Sequence, residues 1–317
     1  MLIIASAFAA VIPMSVYLVL IWRFDRYDRE PFGMVLLNYL LGGIGAIFFA
    51  VIGSGIFSIA AALFISDPET LSIIEAVLIA PFVEEITKAL FVLIIFMNKK
   101  FDNITDGIVY GGAIGLGFGM TENFLYFISF GSTFTGWITM VLIRTMFSAV
   151  MHCISTATFG AFLGYAKFRD YPLRIVMPLI GLSLAMFIHF AWNFSVSFES
   201  TTLAGFVFMF FTIAVFIGVF STSVHSEKKI IYTELLEEVS NGIIPPEHLN
   251  ILNSPRRNTN GWVDESIRKV YISAATTLAF RKKQYRNSAG SSRFYYEQDI
   301  NHYRNFISNI LHPSKAE

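Results

Sequence analysis

Apolar runs of roughly twenty to thirty residues, broken by short polar stretches, occupy the chain from Leu2 to about position 222, a pattern that predicts membrane-crossing helices. The runs fall at 2–22, about 34–64, 71–97, about 105–130, about 136–166, about 174–197 and about 203–222, which predicts about seven spans. The polar breaks carry a second pattern. Arg23, Arg26 and Arg29 follow the first run, Lys99 and Lys100 the third, Lys167 and Arg169 the fifth, and Lys228 and Lys229 the seventh. The breaks after the second, fourth and sixth runs hold no Lys or Arg. Basic residues stay on the cytoplasmic side, so the N-terminus is predicted outside and the segment after the seventh run in the cytoplasm. Three arginines after residues 2–22, with none before them, suit a first helix with an exported N-terminus and not a cleaved leader. The expected fold is an all-α, polytopic membrane helix bundle.

Composition agrees with this class and narrows the rest. Residues are 55% hydrophobic and only 15% charged, the balance of an integral membrane protein whose first partner is the lipid bilayer. There is no phosphate loop or nucleic-acid signature, and no nucleic-acid partner is expected. The single cysteine, Cys153, excludes an internal disulfide or a multi-cysteine metal cluster. It follows His152, and helix neighbours point about 100° apart, so it reads as a packing residue. From Ser223 the chain changes character and holds 13 of the 23 basic and 10 of the 23 acidic residues. The expected division is a transmembrane domain at 1–222 and a small helical cytoplasmic tail at 223–317, with a regulatory or interaction role. Helices are predicted at 227–240 and 264–283, and a linker at 284–293.

The third run interrupts itself with Glu84, Glu85 and Lys88. An ionisable residue near the centre of a membrane helix costs roughly 2.5–3.5 kcal/mol, so each needs a partner. Glu84 and Lys88, four apart with the carboxylate first, are expected to share a face and pair. Glu85 lies about 100° round the helix without a local partner. A buried ion pair that only locks helices together would account for Glu84 and Lys88. The spare carboxylate points instead to a site.

Other spans carry their own polar residues. The fourth reads Gly111-Gly112-Ala113-Ile114-Gly115-Leu116-Gly117-Phe118-Gly119-Met120-Thr121-Glu122, where the glycines permit close helix approach and place Glu122 inside the bundle. The fifth carries Arg144 and His152, and the sixth His189 and Asn193, four apart on one face. Taken singly, each is as well explained by an interhelical hydrogen bond. Counted at about 1.5 Å per residue from the nearest cytoplasmic charge, Glu84, Glu122, His152 and His189 all lie about 22–24 Å deep in a core about 30 Å thick. Four spans thus offer one polar layer towards the outer leaflet.

Glu84-Glu85-Ile86-Thr87-Lys88, Phe118-Gly119-Met120-Thr121-Glu122, His152 on the next span, and His189-Phe190-Ala191-Trp192-Asn193 resemble the EExxK, FxxxE, H and HxxxN signatures of the PrsW family of intramembrane proteases, relatives of the type II CAAX prenyl proteases and the Abi group. The charged Asp25 to Pro31 loop is similar to that family's segment after its first helix. The resemblance covers about residues 1–225. It implies a helical intramembrane protease of a bacterial plasma membrane, acting on a membrane-anchored protein such as an anti-sigma factor near its extracytoplasmic side. Glu122 stands where the CAAX relatives have a histidine.

These residue types permit peptide hydrolysis by activated water. Glu84 or Glu85 would take the proton, assisted by Glu122 or His152, while His189 and Asn193 would bond the developing oxyanion. In a metal version, Glu122, His152 and His189 would hold one divalent ion, zinc by its ligand preferences. In the other version the glutamates work without a metal. Two further classes stay open: a non-catalytic scaffold of the same fold, and a proton- or ion-coupled transporter, although no internal repeat supports the latter.

The topology is directly testable. A reporter fused after Ser223 is expected in the cytoplasm and one inserted beside Asp67 outside; an external reporter after Ser223 would overturn the assignment of sides.

Overall fold

The computed structural model describes residues 2–98, 101–129, 133–288 and 291–312, with the side chains of residues 291 and 292 left aside. Lys99 and Lys100, part of the predicted basic pattern, lie outside the described residues. The described residues are helical with short connections and form no strand. They fall into two compact units, Met1–Asp25 with Arg29–Phe220, and Arg26–Asp28 with Ser221–Glu317.

The first unit contains α1 (Leu2–Phe24), α2 (Phe32–Ala62), α3 (68–96), α4 (Ile104–Ser129), α5 (Phe134–Ala166), α6 (Tyr171–Ser197) and the first part of α7 (Thr202–Ser240). Among the described residues, five segments are long and apolar enough to cross a membrane: Leu2–Phe24, Phe32–Ala62, Phe134–Ala166, Tyr171–Ser197 and Glu199–Ser240. The two other expected spans, α3 and α4, are helices of 29 and 26 residues that fall short of that mark. Both are too polar: α3 carries Glu75, Glu84, Glu85 and Lys88, and α4 is rich in glycine.

α4 is the axis of this unit. Residues Thr105 to Gly119 are buried without a break, so the helix has no lipid-facing stripe and can spend its positions on glycine and polar groups. By contrast α1 leaves Ile3, Ile4, Phe8, Val16 and Leu20 exposed, apolar surface that suits lipid. The close partner of α4 is α5, and the reason is a glycine row. A Cβ on Gly107 would lie 2.0 Å from the Gly160 carbonyl oxygen, and one on Gly115 would lie 2.2 Å from that of His152. The two backbones therefore touch along several turns, as small-residue rows allow, and His152 is set against α4 as a result. On the opposite face, Gly117 meets α2 so closely that a Cβ would lie 1.8 Å from the Tyr39 carbonyl oxygen.

Three helices contain a wide, π-type turn: Leu41–Ala46 in α2, Glu75–Ile79 in α3 and Arg144–Ser148 in α5. Such turns take in one extra residue and disturb the regular hydrogen-bond ladder. Side chains reach the disturbed carbonyls: Thr121 Oγ1 donates to Gly43 O at 2.7 Å, and Asn193 Nδ2 to Ala76 O at 2.8 Å. Pro81 follows the α3 turn directly, where its missing N–H does least harm.

At one end of the bundle the charged loop is folded on itself. Glu30 N donates to Asp25 Oδ2 at 2.9 Å, Trp22 Nε1 to Glu30 O at 2.8 Å, and Tyr110 Oη on α4 to Glu30 Oε2 at 2.5 Å. Lys167 Nζ, beyond the end of α5, donates to the carbonyls of Phe96, Asn98 and Phe101, closing the C-terminal end of α3.

The second unit has its own core, built from Ile231, Leu235, Leu249, Tyr271, Leu278 and Ile307 on α7, α8 (Pro246–Leu252), α9 (Glu265–Arg286) and α10 (Ser291–Leu311), with Ile244 from the turn between α7 and α8. Fully buried Glu238 meets Lys282 at 2.5 Å and Arg304 at 2.7 Å. Arg257 donates to Arg26 O and Tyr27 O and covers the Tyr27 ring. Two local expectations are corrected here. The seventh apolar run does not stop near 222 but continues without a break through the predicted 227–240 helix, because nothing between them breaks a helix. Of the predicted 284–293 linker, residues 284–286 close α9 and residues 291–293 open α10, a helix not predicted, while residues 289 and 290 lie outside the described residues.

Gly115→Ala is expected to destabilise the bundle by about 1–3 kcal/mol and lower membrane abundance, because backbone cannot yield as a side chain would. Gly55→Ala, with nothing within 4 Å of the added Cβ, is expected to be neutral or slightly stabilising. Thermal melting in detergent compares them; equal midpoints would sink the close-approach argument.

Candidate active site

Glu84, Glu85 and Lys88 stand just after the wide turn of α3. Lys88 is fully buried, with its amine 4.6 Å from the centre of the Phe118 ring. Its Nζ meets Glu85 Oε1 at 2.5 Å and His152 Nδ1 at 3.0 Å. The same Glu85 oxygen takes a hydrogen bond from Ser155 Oγ at 3.1 Å and faces His189 Nδ1 at 2.8 Å. The expected pairing of Lys88 with Glu84 is thus corrected: Lys88 pairs with Glu85, which was expected to have no local partner. Residues three apart also adjoin on a helix, and the histidines brought by α5 and α6 stand on the Glu85 side.

Glu122, on α4, receives two groups at one oxygen. Its Oε2 lies 2.6 Å from His152 Nε2 and 2.7 Å from Arg144 NH2. Arg144 was noted in the sequence but given no task. Glu84 is the carboxylate left over: its Oε2 is buried, accepts no hydrogen bond, and has His189 Nε2 as its neighbour at 3.9 Å. The two imidazoles cross at 87° with centroids 4.8 Å apart.

Proton positions follow from the partners. An ammonium only donates, so His152 Nδ1 accepts from Lys88 and the ring proton sits on Nε2, towards Glu122. Glu85 only accepts, so His189 carries its proton on Nδ1 and turns the Nε2 lone pair towards Glu84. The Nε2 lone pair of His189 and Glu84 Oε2 therefore face each other at 3.9 Å without a hydrogen bond between them.

Of the sequence-predicted residues, Glu84, Glu85, Lys88, Glu122, His152 and His189 form one connected cluster. Asn193 is engaged with Ala76 O in the α3 wide turn instead. Among the described residues, the His/Asp/Glu group able to hold a metal ion is Glu84, His152 and His189, whose ligand atoms lie within 4.8 Å of one another. The predicted trio had Glu122 in place of Glu84; the structure ties Glu122 to Arg144 and leaves Glu84 free. Cys153 is buried and faces the Gly112 position on α4, a packing contact as expected. Sequence reasoning missed Ser155, since a serine in an apolar span carries no signal of its own. It also missed Glu75 in the α3 wide turn, which receives Ser58 Oγ; a carboxylate in an apolar run was the available signal.

Comparison with known proteins places these residues in context. The family model described as PrsW family intramembrane metalloprotease matches residues 30–219. The chain is similar to Protease PrsW of Bacillus subtilis (strain 168), with 28% identity over 174 residues, 54% of this chain and 72% of that protein. It is similar to Protease PrsW of Oceanobacillus iheyensis, with 33% identity over 132 residues, 41% of this chain and 58% of that protein. A third relative, Protease PrsW of Shouchella clausii, is 24% identical over 200 residues, 61% of this chain and 84% of its own length. No solved structure matches the chain.

Removing one partner of a buried ion pair costs about 3–5 kcal/mol, because the other charge stays behind. Lys88→Met is therefore expected to deplete the protein from membranes, and Lys88→Met with Glu85→Gln to recover part of the loss. Immunoblots of membrane fractions read both; an undiminished Lys88→Met protein would deny the pair any part in stability.

Proposed function

Because the chain belongs to the PrsW family of intramembrane metalloproteases, hydrolases that act on peptide bonds, we propose that it cleaves a membrane-anchored protein near its extracytoplasmic side, using the Glu84, His152 and His189 cluster. One observation carries the reading: Glu84 Oε2 and the His189 Nε2 lone pair face each other, buried and without a hydrogen bond. Two acceptors in that position suit a cation with a bound water. Two imidazoles and a carboxylate are a donor set for zinc, with an open position for water or substrate. When bound, the ion supplies a more acidic water and a Lewis acid for the scissile carbonyl.

The chain's own residues do the rest. Glu85 and Lys88 orient the two rings, Glu85 through His189 Nδ1 and Lys88 through His152 Nδ1. For His152 Nε2 to serve as a ligand, the ring would carry its proton on Nδ1, supplied by Lys88, while the Nε2 proton would leave to solvent and the Glu122 carboxylate would stay paired with Arg144. Glu84 has two oxygens, one to ligate and one to take a proton from the attacking water and pass it to the leaving amine. Asn193 holds the α3 wide turn with one Nδ2 hydrogen and offers the second to the developing oxyanion.

In this reading α3 and α4 also cross the membrane, which completes seven spans in a bacterial plasma membrane with the N-terminus outside. The alternation of basic loops supports it. The 223–317 segment is then cytoplasmic, with a regulatory or interaction role; an anti-sigma factor is a fitting substrate class.

Purified protein is expected to hold about one zinc per chain, to lose cleavage with a strong chelator and to regain it with zinc. In cells, a released ectodomain seen with wild type should vanish with Glu84→Gln. Full cleavage by rigorously metal-free protein would overturn the ion. Identical membrane-protein fragments in wild-type and Glu84→Gln cells would overturn the catalytic assignment.

A further inference from the structure

Arg144 is the one cation of the cluster that this scheme leaves without a task. In an unbroken α-helix, a residue eight positions before His152 would stand about 80° away round the axis. The wide turn Arg144–Ser148 takes in one extra residue, so eight positions span the rotation of seven and end about 20° short of two full turns. The turn therefore puts Arg144 on the face of α5 that carries His152. There the guanidinium meets three residues of α4: NH2 lies 2.7 Å from Glu122 Oε2, Nε donates to Asn123 Oδ1 at 3.0 Å, and the central carbon lies 3.6 Å from the Tyr126 ring centre. A planar fork that hydrogen-bonds through Nε, ion-pairs through NH2 and stacks on its face has its orientation set, which a lysine could not match.

We propose that Arg144 is a positioning residue for the peptidase reaction, holding the Glu122 carboxylate beside His152. Without it, Glu122 would have only His152 to fix it and would swing among the other groups of the cluster. Arg144 acts through Glu122 and touches neither substrate nor reacting atoms. The inference rests on the catalytic reading of the Glu84, His152 and His189 cluster, and not on whether an ion is bound there.

The test is a double-mutant cycle on the purified full-length protein: Arg144→Gln, Glu122→Gln and the double variant, with Arg144→Lys alongside. Cleavage kinetics, thermal midpoint in detergent and zinc per chain are read on each. Arg144→Gln is expected to lower kcat by about tenfold or more with KM within about twofold, and Arg144→Lys to recover part of kcat. The double variant should match Glu122→Gln within about twofold, since Arg144 has nothing to act on once Glu122 is neutral. If Arg144→Gln does not fold, the double variant against Glu122→Gln still decides, because no carboxylate is then left unpaired. Multiplied losses in the double variant, or a folded Arg144→Gln with wild-type kcat, would overturn the proposal. Wild-type protein that cleaves without zinc while the cycle stays non-additive would overturn the ion and leave Arg144 its role; multiplied losses at full zinc occupancy would do the reverse.

Discussion

A carboxylate buried within an apolar helix bundle persists only if something answers its charge, and in this protein that constraint converges on Glu85 Oε1. Lys88, Ser155 and His189 all meet that single atom, from α3, α5 and α6. Because Lys88 is also held by His152, the ring planes of both histidines depend on the same node. The order of the cluster follows. One carboxylate is consumed in holding the site together, a second is paired with Arg144, and Glu84 keeps a buried oxygen without a hydrogen bond.

Helix packing makes that node possible. His152 can reach Lys88 and Glu122 together because α5 lies with its backbone against α4, and it lies there because glycines at 107, 111, 115 and 119 present no side chain to it. The wide turns are a second adjustment. Each shifts the residues beyond it by about one position round its helix; those of α3 and α5 lie close in sequence to Glu84 and His152, and that of α2 accepts from Thr121, the neighbour of Glu122. Irregular helix is concentrated where side chains from separate spans must be aimed at one another.

Membership of the PrsW family states the reaction class, and the geometry separates the roles of residues that the family's short motifs leave equal. Two adjacent glutamates read alike in a motif. Here one accepts three donors and the other none at Oε2. The second unit is a different kind of structure, with a core of its own and an internal charge cluster at Glu238, and it lies outside the matched residues from 220 onwards.

The sequence by itself determined the all-helical class, the ends of the long apolar helices to within a few residues except the C-terminal end of the seventh, and the meeting of Glu84, Glu122, His152 and His189 in one cluster. These follow from hydropathy and helix rise, which are properties of the chain read one residue at a time. Only the tertiary structure decided which charges pair. Lys88 chose Glu85 over Glu84 because the histidines approach from that side, and Arg144 reached Glu122 because a wide turn departs from the 100° step on which periodicity arguments rely. The helix at Ser291–Leu311 carries a local signal, Ile300, Tyr303, Ile307 and Ile310 at helical spacing, but the core these residues meet is supplied by distant segments. Pairing and packing are relations between residues far apart in the chain, and no local pattern records them.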